Sequence, residues 1–429
     1  SYSLLDATLQ RLFRQLAVFV GGFSAQAAQA VCAAEPAALA QLTEHNLLAY
    51  RAERWQMLEM VREFALNELS HTEQGYERSQ VQQRHTAYFV DQAALPLTAQ
   101  STLSLALSAP DYDNFCAALT RAIAAQDGHA ALTLCSKLGG FWETRGYLHN
   151  GAQLTQAVLA MPSAQDMRLR LAALERISTL AWQGHQFDVA LAFAEQAKTL
   201  ALTHDQPEVL VRTLNLIGRI FLEQGDHGRA EAVLQECLQR SRPIALRFNP
   251  GCPLALLGEV AMACGEWQRA AAYLTEALTA LAAAEQTVYV GLFVATAHTD
   301  LAELALRQDQ IAEARHELQQ ALPYARLTMR RLRCLLVALV GLLLIPLPTT
   351  STKNVKTAAT LFGAIVGLGK RSGDILSPFH QRLIAERSAC AQQLISPQAF
   401  QAALQQGHAW TPAQAADAAE RWLALDFTE

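Results

Sequence analysis

Small side chains recur along this chain at a fixed spacing, and that spacing constrains the fold more than any other feature. In three successive stretches a small residue precedes an alanine by twelve positions, and apolar or small residues follow that alanine at four and seven. Ser178, Ala190, Ala194 and Ala197 form the first set, Gly218, Ala230, Leu234 and Cys237 the second, and Gly258, Ala270, Leu274 and Ala277 the third. The sets lie 40 residues apart. Ala302, Ala314, Leu318 and Ala321 add a fourth after 44 residues, and Gly139, Gly151, Thr155 and Val158 a weaker one 39 residues before the first. Such a pattern predicts helical hairpins: the small residue lets the first helix approach the alanine on the second, and the later apolar residues pack on the next hairpin. Gly184, Gly225, Gly265 and Asp309 fall between the two helices of each pair and are the expected turns. One hairpin cannot bury its apolar face alone, so five in a row predict a curved solenoid. The alternative is an irregular helical bundle whose spacing is fortuitous.

Composition agrees with long helices. At 429 residues the chain exceeds what a single core organises, so several domains or a repeat array are expected. Hydrophobic residues make up 51% and charged residues 17%, outside the regime that leaves chains disordered. The net charge of −5 supplies no broad positive field for nucleic acid. The eight cysteines are scattered singly, without C-x-x-C pairs or histidines at zinc-ligand spacing, and read as reduced core thiols of a cytoplasmic protein. The chain opens without Met or a signal-peptide layout, which predicts a fragment or a processed chain. The most apolar run, Leu335 to Leu347, is 13 residues long where about 20 are needed to cross a bilayer. It reads as a buried helix.

Ahead of the repeats, Leu4 to Leu69 reads as helix, Gly21-Gly22 turn, two helices, two short strands around a charged turn, and a further helix. Ser24 is placed to cap the second helix, and Leu48 to Met57 alternates as a two-stranded wing. That order is a winged-helix arrangement.

Catalytic chemistry finds no support. The run from Gly363 to Ser372 imitates a phosphate loop, but Ala364 and Arg371 stand where Gly and Ser or Thr are required, and helix precedes it where a strand is needed. The twelve histidines form no paired metal spacing, and His298 and Asp300 point about 200° apart on a helix. Glu59 and Glu63 are ordinary neighbours on a polar helix face. Arg326, Arg330, Arg331 and Arg333, with Lys353, Lys356, Lys370 and Arg371, make the one local basic concentration, read as a solvated helix end.

The repeat offsets resemble the tetratricopeptide repeat, lengthened to about 40 residues by longer helices. The segment LQRLFRQLAVFVGGFSAQAAQAVC (Leu9 to Cys32), with LAQLTEHNLLAY and RWQMLEMVREFALNEL, resembles the winged-helix region of bacterial signal-transduction ATPases with an NB-ARC-type nucleotide domain. RHTAYFVDQA, YDNFCAALTRAI with FWETRGYL, AATLFGA and FQAALQQGHAWTPAQA extend the resemblance along nearly the whole chain. The resemblance implies an all-α fold: a winged-helix domain at 1–70, connecting helices at 71–128, a right-handed α-solenoid of tetratricopeptide-like hairpins at 129–330, and a C-terminal helical repeat and cap at 331–429. It implies a non-enzymatic sensor arm of an ATP-dependent, transcriptional signalling regulator. ATP or ADP would bind a nucleotide domain upstream in cis, with no cofactor or metal here. A stand-alone scaffold without nucleotide coupling, and DNA binding by the winged helix, are the alternatives.

In tetratricopeptide arrays the first helix of each pair lines the inner groove. Carried over, that places Glu175, Thr179, Trp182, Arg212, Asn215, Arg219, Glu223, Glu259, Met262, Thr299 and Glu303 on a surface for a protein or peptide partner or a small-molecule inducer. No nucleic acid or membrane is expected there. Trp182 reads equally as an anchor or as filler between repeats. Relatives often carry Met-His-Asp in the last winged-helix helix, the His reaching toward nucleotide phosphate. Met57, Leu58 and Glu59 occupy those positions here, and Leu58 has no hydrogen to donate.

Overall fold

The computed structural model describes residues 2–71, 76–94, 110–145, 147–244, 248–283, 288–308, 310–325, 337–342, 352–372 and 378–423. The chain divides into two compact units, Ser1–Val209 and Leu210–Glu429.

The first unit opens with α1 (Ala7–Leu16), α2 (Ala25–Cys32) and α3 (Pro36–Glu44), followed by β1 (Ala49–Arg51), β2 (Arg54–Gln56) and α4 (Glu59–His71). Asp6 and Ser24 cap α1 and α2, accepting from the backbone N–H of Leu9 and Ala27 at 2.8 and 3.1 Å. Gly21 and Gly22 have φ of +75° and +112°; a Cβ on Gly21 would meet the Asp113 carboxylate at 2.6 Å. Only glycine serves that turn. The hairpin is antiparallel, pairing Tyr50 with Trp55, and Ala52 and Glu53 turn it with φ of 47° and 60°. Trp55 also exchanges backbone hydrogen bonds with Phe23 at 2.9 and 3.0 Å, tying the hairpin to the α1–α2 connection. These are the strands among the described residues.

Helices α5 (Tyr76–Ala94), α6 (Tyr112–Ala124), α7 (Gly128–Arg145), α8 (Leu148–Leu159), α9 (Met167–Gln183) and α10 (Phe187–Thr203) complete this unit. A buried polar network joins them to the first turn. Asn114 accepts from the Val20 backbone N–H at 2.8 Å and donates to the Gly22 carbonyl at 2.8 Å. His85 faces Asn114 through Nε2 at 3.3 Å, and its Nδ1 receives a hydrogen bond from Arg121 at 2.9 Å. Arg121 also donates to the Val18 carbonyl at 3.1 Å. Because guanidinium can only donate, Nδ1 is unprotonated and Nε2 carries the hydrogen. Burial, then the neighbouring Arg121 charge, pushes the imidazole down to about 3.

The unit boundary falls within α11 (Pro207–Glu223). Beyond it come α12 (His227–Ser241), α13 (Gly251–Ala263), α14 (Trp267–Ala282), α15 (Val288–Arg307) and α16 (Ile311–Ala325), then a helical stretch at 337–342, α17 (Thr352–Ser372), α18 (Pro378–Leu394), α19 (Pro397–His408) and α20 (Pro412–Leu423). The repeat offsets translate into equivalent packing. A Cβ on Gly218 would lie 2.5 Å from Leu234, and one on Gly258 2.6 Å from Leu274, so these two hairpins close at the same pair of positions. Ala230, Leu234, Cys237, Ala270, Leu274, Ala277, Ala302, Ala314, Leu318 and Ala321 are all at 0% exposure. In the first unit Ser178, Ala190, Ala194 and Ala197 are buried likewise.

Gly184, Gly225 and Gly265 fall in the turns between paired helices, as their spacing predicts; the left-handed positions are His185, Gly225 and Gly265, with φ of 57°, 79° and 79°, and Gly184 has φ of −83°. Histidine visits this region more readily than most side chains, and the 40-residue register is kept by conformation where residue type departs from it. Asp309 lies outside the described residues. The Gly139 set does not repeat the contact: Gly139 lies against Arg176, and Gly151 packs on Trp142. Finally, Cys32, Cys135, Cys237 and Cys252 are buried free thiols, but Cys264 and Cys390 are exposed; Cys334 lies outside the described residues. Burial pushes the Cys32, Cys135 and Cys252 thiols up to about 12.

The phosphate-loop imitation lies within the single helix α17. A Cβ on Gly363 or Gly407 would overlap backbone of the facing helix, at Leu404 and Thr360 respectively. Glycines here let α17 and α19 cross in near backbone contact. Residues 337–342 are helical, with Val337 to Val340 and Leu342 buried. The rest of the apolar run lies outside the described residues, as do Arg326, Arg330, Arg331 and Arg333. No helix among the described residues is long and apolar enough to cross a membrane.

Candidate functional site

Placing the small residue of each first helix against its hairpin partner fixes where the next residue goes. One step turns a helix by about 100°, away from the buried contact. Thr179, Arg219, Glu259 and Glu303 follow Ser178, Gly218, Gly258 and Ala302, and so hold equivalent positions on α9, α11, α13 and α15.

In the second unit these positions form a charged strip. Arg219 Nη2 stands 3.5 Å from Glu259 Oε1, with side-chain exposures of 13% and 26%. The Arg219 guanidinium also lies over the Phe293 ring at 5.8 Å from its centroid. Glu303 is buried and accepts from Arg307 Nε and Nη2 at 3.1 and 2.7 Å. Arg307 in turn lies over the Trp267 ring at 4.3 Å. Both arginines are therefore held by a carboxylate and an aromatic face, the combination that their planar, weakly hydrated head favours.

Asp300, two residues from His298 on α15, lies beside the strip. It is 7% exposed, and its Oδ2 is buried with no hydrogen-bond partner. Burial, then the negative fields of Glu259 and Glu303, raises its carboxyl well above the usual range, with Arg219 opposing. His298, on the other side of α15, faces Glu317 at 2.7 Å through Nδ1. The two residues thus face apart, as their spacing requires. Asp300 was legible as an acid two places before the small residue of a first helix; what made it unusual, the lost hydration, was not.

The remaining expected surface residues divide. Arg212 is exposed, and Glu223 and Met262 are half-buried. Thr299 is fully buried, and its hydroxyl donates to the Ala295 carbonyl at 2.6 Å, so it belongs to the helix packing instead of an open surface. Asn215 is buried too. In the first unit Glu175 and Thr179 are half-buried, the Thr179 hydroxyl donates to the Glu175 carbonyl at 3.0 Å, and Trp182 is 7% exposed. Leu58, where relatives place a histidine, is 71% exposed beside Glu59, whose carboxylate is held below its usual range by hydrogen bonds from Arg62. No group of three or more His, Cys, Asp or Glu able to hold a metal ion occurs among the described residues.

Helical hairpins closed at a recurring small residue, with a side-chain strip on their first helices, define a helical-hairpin repeat protein. The tetratricopeptide repeat model matches residues 254–289, which contain the Gly258, Ala270, Leu274 and Ala277 set. Presumed HTH-type transcriptional regulators of Mycobacterium tuberculosis (Rv0890c) and Mycobacterium bovis (Mb0914c) are 32% identical over 243 residues, covering 51% of this chain and 27% of their own length. The chain thus spans about a quarter of the curated relatives it matches. Among solved structures, the Pyrococcus horikoshii STAND protein PH0952, a signal transduction ATPase with a tetratricopeptide repeat sensor, is similar at a TM-score of 0.48 and 13% identity, over 98% of this chain and 66% of that one. Apo RapI follows at 0.47 and 13%, over 78% and 93%. The Rap conjugation gene regulator of plasmid pLS20, solved with the Phr* peptide, follows at 0.45 and 11%, over 72% and 93%.

Proposed function

We propose that this chain is the sensor arm of a larger ATP-dependent signalling regulator of transcription, and that it binds a protein or peptide partner on the first helices of its hairpins. The observation that carries the reading is the strip Arg219, Glu259 and Glu303. Repeated hairpin closure at Gly218 and Gly258 holds these side chains in register, while partial exposure leaves Arg219 and Glu259 able to meet a ligand. Residues 1–70 are read as a winged helix, on the order of α1 to α4 and the β1–β2 hairpin, and 71–128, 129–330 and 331–429 as connector, right-handed solenoid and cap. The parent protein would contribute the nucleotide domain. A partner that favours one orientation of the arm would then shift an off/on equilibrium by its differential affinity for the two states.

The test is capture of partners by the full-length protein from its native cell, repeated with Arg219→Glu and Trp182→Ala. Arg219→Glu reverses a charge beside Glu259 and is expected to cut capture at least tenfold. Capture unchanged by both substitutions refutes the assigned surface.

A further inference from the structure

We propose that Asp300 is the floor of a pocket for a cationic group, a guanidinium or ammonium carried by the partner peptide. The inference deepens the partner-binding reading above and rests on it. Three carboxylates, Glu259, Asp300 and Glu303, share this part of the second unit with the guanidinium groups of Arg219 and Arg307. Arg219 stands beside Glu259, and Arg307 is hydrogen-bonded to Glu303. Asp300 Oδ2 is the oxygen left over: buried, within the electrostatic reach of Glu259 and Glu303, and without a hydrogen bond.

An unsatisfied buried carboxylate oxygen costs stability, and proteins keep such groups where a ligand or a proton completes them. With no ligand, a proton does so, because ionising Asp300 beside Glu259 and Glu303 would place three negative charges around one site. A ligand cation does the same work better, supplying both the charge and the donors. Guanidinium fits most closely, since its fork can serve Asp300 together with Glu259 or Glu303. Its entry requires neighbouring side chains to move, and Arg219 and Glu259 are the partly exposed members of the cluster. The Phe293 and Trp267 rings lie against the Arg219 and Arg307 heads, so this part of the unit already holds guanidinium groups between carboxylates and aromatic faces. Cation binding and proton loss from Asp300 are then linked: the ligand lowers the carboxyl's affinity for its proton, and binding releases it.

The experiment uses the whole chain with fluorescein-labelled hexaarginine and hexaglutamate, read by fluorescence anisotropy. Proton release is read by calorimetry in two buffers of different ionisation enthalpy. Native chain is expected to bind hexaarginine and not hexaglutamate, with release of up to one proton. Asp300→Asn, nearly isosteric, is expected to weaken binding at least tenfold and abolish the release. Glu317→Gln removes a carboxyl group on α16, beside His298 on the side of α15 away from Asp300, and controls for general attraction to an acidic protein. Equal affinity in the native and Asp300→Asn chains, equal losses in Asp300→Asn and Glu317→Gln, or no hexaarginine binding overturns the pocket. A cellular partner still captured under those outcomes leaves the broader reading standing. Hexaarginine binding that depends on Asp300 with no captured partner supports the pocket and removes the broader reading.

Discussion

Asp300 makes stability depend on pH in a direction opposite to most carboxylates. Its pKa is raised in the folded protein by burial and by Glu259 and Glu303, so the native state holds a proton that the unfolded chain gives up. That contribution is fully present below the ordinary carboxylate range and is lost as pH rises through the raised native value. Asp300→Asn keeps the shape and removes the titration. Its melting temperature is expected to exceed the native one at pH 8, with the gap closing toward pH 4, in thermal unfolding followed by circular dichroism. Glycines show the same dependence on surroundings. A Cβ at Gly407 would overlap the Thr360 carbonyl oxygen, whereas one at Gly228 meets nothing within 4 Å. Gly407→Ala is therefore expected to destabilise by about 1–3 kcal/mol or more through forced separation of α17 and α19. Gly228→Ala, in α12, should stabilise by about 0.5–1 kcal/mol through helix propensity. Denaturant midpoints for the two variants should move in opposite directions.

Among elements, the α1–α2 connection is held by polar side chains that come from far along the chain. Asn114 on α6 and Arg121 two turns later bind the backbone at Val20, Gly22 and Val18, and His85 on α5 bridges them. Protonating His85 would place a second positive charge against Arg121 inside the core. Its native pKa, near 3, lies below the ordinary value of 6.5, so the stability it contributes is present above 6.5 and is lost as pH falls toward 3. The loss is on the order of 5 kcal/mol. His85→Gln should flatten the fall in unfolding free energy between pH 6 and pH 4, measured by urea titration; an unaltered slope would show that other groups govern acid unfolding. Hairpins in the second unit are held differently, by Gly218 on Leu234 and Gly258 on Leu274, contacts that do not titrate.

For the molecule as a whole, charge sets the expected behaviour with nucleic acid. A net charge of −5 gives long-range repulsion from phosphate, and the basic residues at 326–333 belong to a chain acidic overall. In electrophoretic shift assays at low salt, this chain is expected to leave random duplex DNA unshifted at micromolar protein. A shift that fades steeply with salt would instead favour duplex binding by residues 1–70.

The sequence alone determined whatever depends on local geometry and periodicity. Helix periodicity and close packing made the hairpins legible through Gly218, Gly258 and Ala302, because a small residue at a fixed offset has one physical use there. The Ser24 cap and the Gly21-Gly22 turn were legible for the same reason: each answers a backbone requirement within a few residues. What sequence could not supply was burial and partnership between distant side chains. That Thr299 is buried in packing, that His185 takes the left-handed turn, that Gly139 meets Arg176, and that Asp300 loses its water beside Glu259 and Glu303 were decided by the tertiary structure. Desolvation and Coulomb energy depend on which helices meet, and the spacing of residues along one helix does not contain that information.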